Sequence, residues 1–332
     1  MRITYSTAKA LIPTAVALGN FDGLHRGHQR VIQPVLKTRR EAGELLAASE
    51  AQVYATVVTF NPHPQEFFTG QPRALLTPLP EKVQQLISWN IEQLVLLPFD
   101  RELAALSPQD FVEKILVQLQ AQMISVGEDF RFGKQRCGTA ADLQAIAAKF
   151  GIPVTIVPNY TCVGERISSS AIRQALTEGN LQRAKVLLDR PYTLTGTVVK
   201  GQQLGRTIGF PTANIQLPAN KFVPQQGVYA VRVFMEKARE SVASCPLPIG
   251  IGVMNIGYRP TVNGNNQSVE VHLLDWSGDL YDKTLTVQLE EFLRPEQKFS
   301  SLEDLKSQIA ADCDRARSLL RQESSIDYEK VD

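Results

Sequence analysis

The chain changes texture near residue 190, and that change limits its possible folds more than any single motif does. Before it, apolar runs at 14–18, 53–60, 93–97, 123–126 and 152–157 alternate with stretches of helical spacing at about 27–47, 80–90, 108–121, 139–150 and 168–188. Parallel strands need a crossover and a helix supplies one, so this rhythm predicts an α/β domain on a parallel, doubly wound sheet. After it, β-rich segments at 192–200, 227–235, 249–256, 268–274 and 284–292 are separated by Gly, Pro and Asn turns. That spacing predicts an antiparallel barrel. A last helix is expected from about Ser301 to Arg321, opened by a capping box of Ser300 with Glu303 and carrying Leu302, Leu305, Ile309 and Leu320 as its apolar stripe. The 332 residues suffice for two cores of ordinary size. The boundary is placed at Asp189-Arg190-Pro191, giving domains 1–187 and 188–322 and a flexible tail 323–332. Glu236–Pro248 reads as a variable loop, and Gln322–Asp332 as a frayed acidic end.

Composition narrows the function classes. With 43% hydrophobic and 21% charged residues the chain is globular, and a net charge of +1 gives no electrostatic case for nucleic acid or an anionic membrane. Cys137, Cys162, Cys245 and Cys313 form no close pair, so neither a zinc site nor a disulfide framework is suggested, which fits a reducing cytoplasm. No run reaches the roughly 20 apolar residues of a membrane helix. Arg2 and Lys9 precede the apolar Ala10–Leu18, with Ala15-Val16-Ala17 like a cleavage site. That stretch is short, contains Pro13 and Thr14, and runs straight into the motif below, so it reads as a strand and not a signal peptide.

The motif is Gly19-Asn-Phe-Asp-Gly-Leu-His-Arg-Gly-His28, between the first strand and the first helix. A glycine-bearing turn feeding a helix N-terminus aims backbone N–H groups and the helix dipole at one spot, which suits a nucleotide phosphate. His25 and His28, around Gly27, add side-chain donors. Three further segments are expected to converge with it at the C-terminal ends of the strands. Asn61-Pro62-His63-Pro64 is a proline-stiffened turn that could present His63, or be a stiff loop only. Gly127–Gly133 offers carboxylates and the pair Phe130 and Phe132 for a ring and a phosphate, or two core aromatics. Arg166-Ile167-Ser168-Ser169-Ser170 leads into a helix with Arg173, making a second anion site, though a serine run is a good N-cap whatever the function. Two phosphate sites across one crevice suit nucleotidyl transfer. That reaction needs no protein nucleophile, only positioning and charge stabilisation, here from His25, His28 and Arg166 alongside Mg²⁺.

The second half carries a different cluster. Gly205-Arg206-Thr207-Ile208-Gly209-Phe210-Pro211-Thr212-Ala213-Asn214 has two glycines and a proline-fixed bend, ending in a hydroxyl and an amide suited to Mg²⁺ and phosphate oxygens. In Ser268–Leu273 the alternation puts Val269, Val271 and Leu273 on one side and Glu270 and His272 on the other. Glu270 could take a proton from a substrate hydroxyl in phosphoryl transfer; on alternation alone it is equally a solvated strand face. Asn255–Thr261 reads as a tight polar turn, with Arg259 either functional or a surface charge.

Together these segments resemble the bacterial bifunctional riboflavin kinase/FMN adenylyltransferases, the FAD synthetase family. Gly19–His28, Asn61–Pro64, Gly127–Gly133 and Arg166–Arg173 match the adenylyltransferase domain. Gly205–Asn214, Asn255–Thr261, Val269–His272 and Phe292-Leu293-Arg294-Pro295-Glu296 match the kinase domain, all in the family's order over about residues 10–315. The resemblance implies a Rossmann-like nucleotidyltransferase domain followed by a six-stranded flavin-kinase barrel. It implies phosphorylation of riboflavin by ATP to FMN, then adenylylation of FMN by a second ATP to FAD and pyrophosphate, with Mg²⁺. By motif match, His25, His28 and Arg166 act on ATP phosphates, with Gly19, Asn20, Phe21, Asp22, Gly23, Gly27, Ser169, Ser170 and Arg173 forming that site. Asn61, His63, Asp129, Phe130 and Arg294 would meet the flavin. Gly205, Arg206, Gly209, Pro211 and Thr212 would bind the kinase ATP, Thr212 and Asn214 its Mg²⁺, and Glu270 would be the base for the ribityl 5′-hydroxyl.

There are two departures. The family's serine run usually reads Ser-Ser-Thr-Arg-Ile-Arg, whereas here Ser168-Ser169-Ser170 is followed by Ala171, and Asp282 stands where glycine is expected after Leu280-Tyr281. One active domain with the other a remnant, or a flavin-binding regulatory module without turnover, remain the alternatives. The expected partners are small molecules, with the protein a monomer or weak homo-oligomer.

Overall fold

The structure is a computed structural model and describes residues 1–45, 52–162, 164–201, 204–236, 247–261 and 264–326. The chain divides into two compact units, Met1–Ser169 and Ser170–Asp332. The two helices after residue 168 therefore pack with the second half, upstream of Asp189–Pro191.

In the first unit the strands are β1 (Arg2–Thr4), β2 (Thr14–Leu18), β3 (Tyr54–Asn61), β4 (Gln93–Pro98), β5 (Ala121–Gly127) and β8 (Val154–Val157), in the order β1-β4-β3-β2-β5-β8 and all parallel. The crossovers are α1 (Arg26–Leu45), α2 (Pro64–Thr69), α3 (Leu79–Ser88), α4 (Arg101–Ala105), α5 (Pro108–Phe111) and α6 (Ala140–Ala148). Small two-stranded pairs follow β5 (β6, Arg131–Phe132, with β7, Gly138–Thr139) and β8 (β9, Thr161–Cys162, with β10, Glu165–Arg166). Buried on both faces, β2 sends Val16 and Leu18 into one core with Val126 and Leu143, and Ala15 and Ala17 into another with Ile32 and Leu86. The strand order reverses beside β2, so the loop after it opens at the switch point where doubly wound sheets bind ligands.

In the second unit α7 (Ser169–Thr177) and α8 (Leu181–Leu188) lead into β11 (Thr193–Val199), the short α9 (Leu204–Thr207), β12 (Ala213–Gln216), β13 (Gly227–Met235), β14 (Leu247–Thr261), β15 (Gly264–Leu273), β16 (Thr284–Arg294) and α10 (Leu302–Ile326). Six of these strands close a barrel in the order β11-β12-β15-β14-β13-β16. Helix α10 lays Ile309, Cys313, Ala316 and Leu320 against Val228, Ala230 and Val253.

Several expectations are corrected. The helix over 168–188 is two helices, because Asn180 caps a new one by accepting the Arg183 N–H after Gly179 turns with a positive φ. The stretch 108–121 ends in a π-helical turn, Val112–Val117, and the next strand begins early at Ala121. The turn expected over Asn255–Thr261 is strand, paired with β15. Strand β12 is not among the five predicted segments, and its first two residues, Ala213 and Asn214, fall at the end of the Gly205–Asn214 segment. The last helix is capped one residue later than expected, with Ser301 Oγ accepting the Asp304 N–H, and it runs on to Ile326. Residues 237–246 of the predicted loop and 327–332 of the tail lie outside the described residues. At Asp282 the chain keeps the glycine-like turn, at φ 60°, a conformation aspartate tolerates better than most residues.

Candidate functional sites

The loop after β2 is built under restraint. Phe21 (φ 49°), Gly23 (91°) and Leu24 (44°) are left-handed, and only the glycine adopts this freely. The loop holds because its apolar side chains anchor it, with Phe21 and Leu24 buried in the core under α1. Polar contacts hold the rest. Gly19 N–H donates to the Val58 carbonyl, Thr59 Oγ1 and Lys82 Nζ donate to the Asn20 carbonyl, and Ser169 Oγ donates to the Asp22 carbonyl at 2.8 Å. Gly23 N–H donates to Thr77 Oγ1 at 2.8 Å, and Thr77 N–H donates to Asp22 Oδ1 at 3.3 Å.

Helix α1 starts where the motif ends. His25 is its N-cap, its Nδ1 accepting the His28 N–H at 3.3 Å, which in the neutral ring leaves the proton on Nε2 as a donor. The two imidazoles stack at 3.6 Å between centroids and 15° between planes, with the Phe21 ring 5.2 Å from His28. Gly27 leaves the space that the His25 ring occupies. The Arg30 guanidinium lies 3.6 Å from the centre of the Tyr160 ring, and Arg26 Nη1 is 3.7 Å from Cys162 Sγ. Cations thus tie the start of α1 to the segment after β8.

The other predicted residues fall as follows. Arg166 and Asp129 meet each other at 2.6 Å, both half-exposed. Asn61 ends β3, and its carbonyl accepts the Phe99 N–H. His63 caps α2, its Nδ1 accepting the Gln65 N–H. Phe132 is core, and Phe130 stacks on it at 5.7 Å. Ser170 and Arg173 lie in the second unit, where Arg173 is 5.7 Å from the Phe222 ring. Sequence reasoning missed Lys82 and Thr77 on the approach to α3. It also missed an aromatic group at the ends of β3 and β4: Phe67, Phe68 and Phe60 pack edge-on around Phe99, leaving Phe68 62% exposed. Burial pushes the Lys82 ammonium down from 10.5 to about 8 against the favourable charge of Asp22.

The second unit holds a cavity of about 550 Å³, within the range of small-molecule sites. Glu270 and His272 line it, while Val269 and Val271 from the same strand are buried, as the alternation predicted. Register explains the neighbours: Asn214 on β12 pairs with Glu270, bringing the end of the Gly205–Asn214 segment beside β15. Thr212 Oγ1 donates to Glu270 Oε2 at 3.2 Å. His272 Nδ1 is 2.8 Å from the Pro211 carbonyl oxygen and its ring is edge-on to Phe210. A Cβ on Gly205 would run into the Phe210 carbonyl, so this turn requires glycine. Gly209 turns at φ 91°, and Arg206 is exposed on α9. Across the cavity, Arg294 is held by Asp312 at 2.8 Å, and Glu296 accepts from Asn255 Nδ2 at 3.3 Å.

A parallel sheet with a histidine-bearing loop at its switch point, joined to a closed barrel with a carboxylate in its cavity wall, describes a two-site nucleotide-dependent transferase. The family models agree: FAD synthetase matches residues 7–171 and riboflavin kinase matches residues 188–320. The bifunctional riboflavin kinase/FMN adenylyltransferase of Escherichia coli (strain K12) is 42% identical over 299 residues, 90% of each chain. That of Haemophilus influenzae is 38% identical over 320 residues, 96% of this chain and 98% of the other. A crystal structure described as a macrolide-efflux protein from Streptococcus pneumoniae matches with a TM-score of 0.78 at 30% identity, covering 93% of this chain and 96% of that one. Among the described residues, no helix is long and apolar enough to cross a membrane. The chain belongs to the bifunctional riboflavin kinase/FMN adenylyltransferase family.

Proposed function

We propose that this chain makes FAD from riboflavin in two steps at two sites. In the barrel cavity, Glu270 takes the proton of the ribityl 5′-hydroxyl as that oxygen attacks the γ-phosphorus of ATP, giving FMN and ADP. The Thr212 hydroxyl, hydrogen-bonded to Glu270, orients the carboxylate. In the α/β unit, an FMN phosphate oxygen attacks the α-phosphorus of a second ATP in line, and pyrophosphate leaves to give FAD. His25, His28 and Arg166 stabilise the charge that develops, without covalent participation. Gly19, Asn20, Asp22, Gly23 and Gly27 form the loop that receives the phosphates, Phe21 supports it, and Ser169 braces it through the Asp22 carbonyl. Asn61, His63, Asp129 and Phe130 are the residues assigned to FMN, and Arg294 to riboflavin. Gly205, Arg206, Gly209 and Pro211 shape the kinase ATP loop.

The donors beside Glu270 suit Mg²⁺. Thr212 offers a hydroxyl and Asn214 an amide oxygen, and a Cβ on Gly201 would run into the Asn214 side chain, so the glycine leaves room for that amide. Among the described residues no group of three His, Cys, Asp or Glu could hold a metal ion, and Mg²⁺ is typically held by one or two protein ligands, waters and phosphates. Thr212 and Asn214 would hold it, and when bound it neutralises phosphate charge. The cytoplasm, with its ATP, is the assigned compartment, and the protein acts there as a monomer or weak homo-oligomer.

The observation that carries this reading is Glu270 in the cavity wall with the Thr212 hydroxyl at 3.2 Å, since a module that only holds flavin has no use for a base. Its test is a pair of variants. Glu270→Gln should abolish FMN formation from riboflavin, by about 10²–10⁴-fold, while leaving FMN-to-FAD conversion intact. His28→Ala should do the reverse. Loss of both activities in either variant contradicts independent sites.

A further inference from the structure

Lysine is among the residues least often buried, because its ammonium gives up water and needs compensation. Lys82, in the first turn of α3, is 8% exposed. Its Nζ donates to the Asn20 carbonyl at 3.1 Å, beside the buried Asp22. Five residues earlier, Thr77 binds Gly23 and Asp22 through its hydroxyl and its N–H. The approach to α3 therefore grips residues 20–23 by three hydrogen bonds from below. Those residues carry the left-handed turn, and His25 and His28 follow it directly.

We propose that Lys82 is a positioning residue for adenylyl transfer: it fixes the Asn20 carbonyl, and through the turn the two histidines, in the geometry that meets ATP. The proposal rests on reading Gly19–His28 as the ATP phosphate loop. An apolar side chain would fill the same space without a buried charge, so packing alone does not account for a lysine here. The charge also lies directly beneath a loop meant to receive anions, where a cation favours their binding.

The test uses the full chain with Lys82→Met, close in length and apolar. The expected result is a fall of tenfold or more in kcat for FMN-to-FAD conversion, with the KM for FMN within threefold and riboflavin phosphorylation unchanged. Trp89, packed on the first unit's core, reports folding by its emission once Trp276 is replaced by Phe. A merely structural lysine predicts a lower melting temperature and a raised KM instead. A kcat within threefold of the parent overturns the proposal. Should Lys82→Met lose the folded Trp89 emission, Lys82→Gln is read against the same thresholds. His28→Ala, run alongside, separates the two ideas. If it leaves FAD synthesis intact, the phosphate-loop reading itself fails; if it abolishes synthesis while Lys82→Met does not, only the role of Lys82 fails.

Discussion

Replacing Lys82 by methionine should stabilise the first unit while impairing its chemistry. Burial lowers the Lys82 pKa from 10.5 to about 8 with the attraction of Asp22 already included, and at about 1.4 kcal/mol per pH unit the buried charge costs about 3.5 kcal/mol at pH 7. Lys82→Met removes that cost but also loses the hydrogen bond to Asn20, worth about 1 kcal/mol. The expected net gain is about 2–3 kcal/mol, or roughly 5–10 °C in melting temperature for a unit of this size. The gain has a pH signature. Below pH 8 the folded and unfolded chains are both protonated and the whole cost is present. Between pH 8 and 10.5 the unfolded chain keeps its proton while the folded one has lost it, so unfolding takes up a proton and the parent's stability rises with pH. The advantage of Lys82→Met should therefore shrink across that window. Thermal melts followed by Trp89 emission in a Trp276→Phe background, at pH 7 and at pH 9.5, read the difference directly. Destabilisation by more than about 2 kcal/mol at pH 7, or a difference that ignores pH, would refute the reasoning.

Three further outcomes are expected. His272→Ala frees the Pro211 carbonyl and should slow riboflavin phosphorylation about tenfold in steady-state assays, leaving FMN adenylylation unchanged. Asp282→Gly relieves a non-glycine φ of 60° and should shift the melting of the barrel by less than about 1 kcal/mol, whereas Asp282→Val should destabilise it. Chelation by EDTA should stop both reactions, and Mg²⁺ in excess should restore them.

The fold was legible wherever burial is two-sided or strictly alternating. β2 reads as a strand because all five of its residues are buried, and Glu270 was assigned to the open face because its neighbours are apolar. Short elements were not legible. β1 and β12, of three and four residues, are strands only because β4, β11 and β15 pair with them. The break at Gly179-Asn180 was missed because a cap inside a long helical pattern looks like a surface residue. At the sites, motif residues announced themselves by type and spacing, with His25 and His28 at a helix start. Their supports did not. Lys82 lies on an ordinary amphipathic helix more than fifty residues away, and only the parallel sheet brings α3 under the loop. Phe130 and His63, both assigned to FMN, also stack and cap within the fold, a second use that residue type alone does not reveal.

The most direct test of the account is to incubate the full chain with riboflavin, ATP and Mg²⁺ and separate the flavins by chromatography over time. FMN should appear first and FAD after it, with ADP and pyrophosphate as the other products. Flavin bound without any FMN formed would contradict the account.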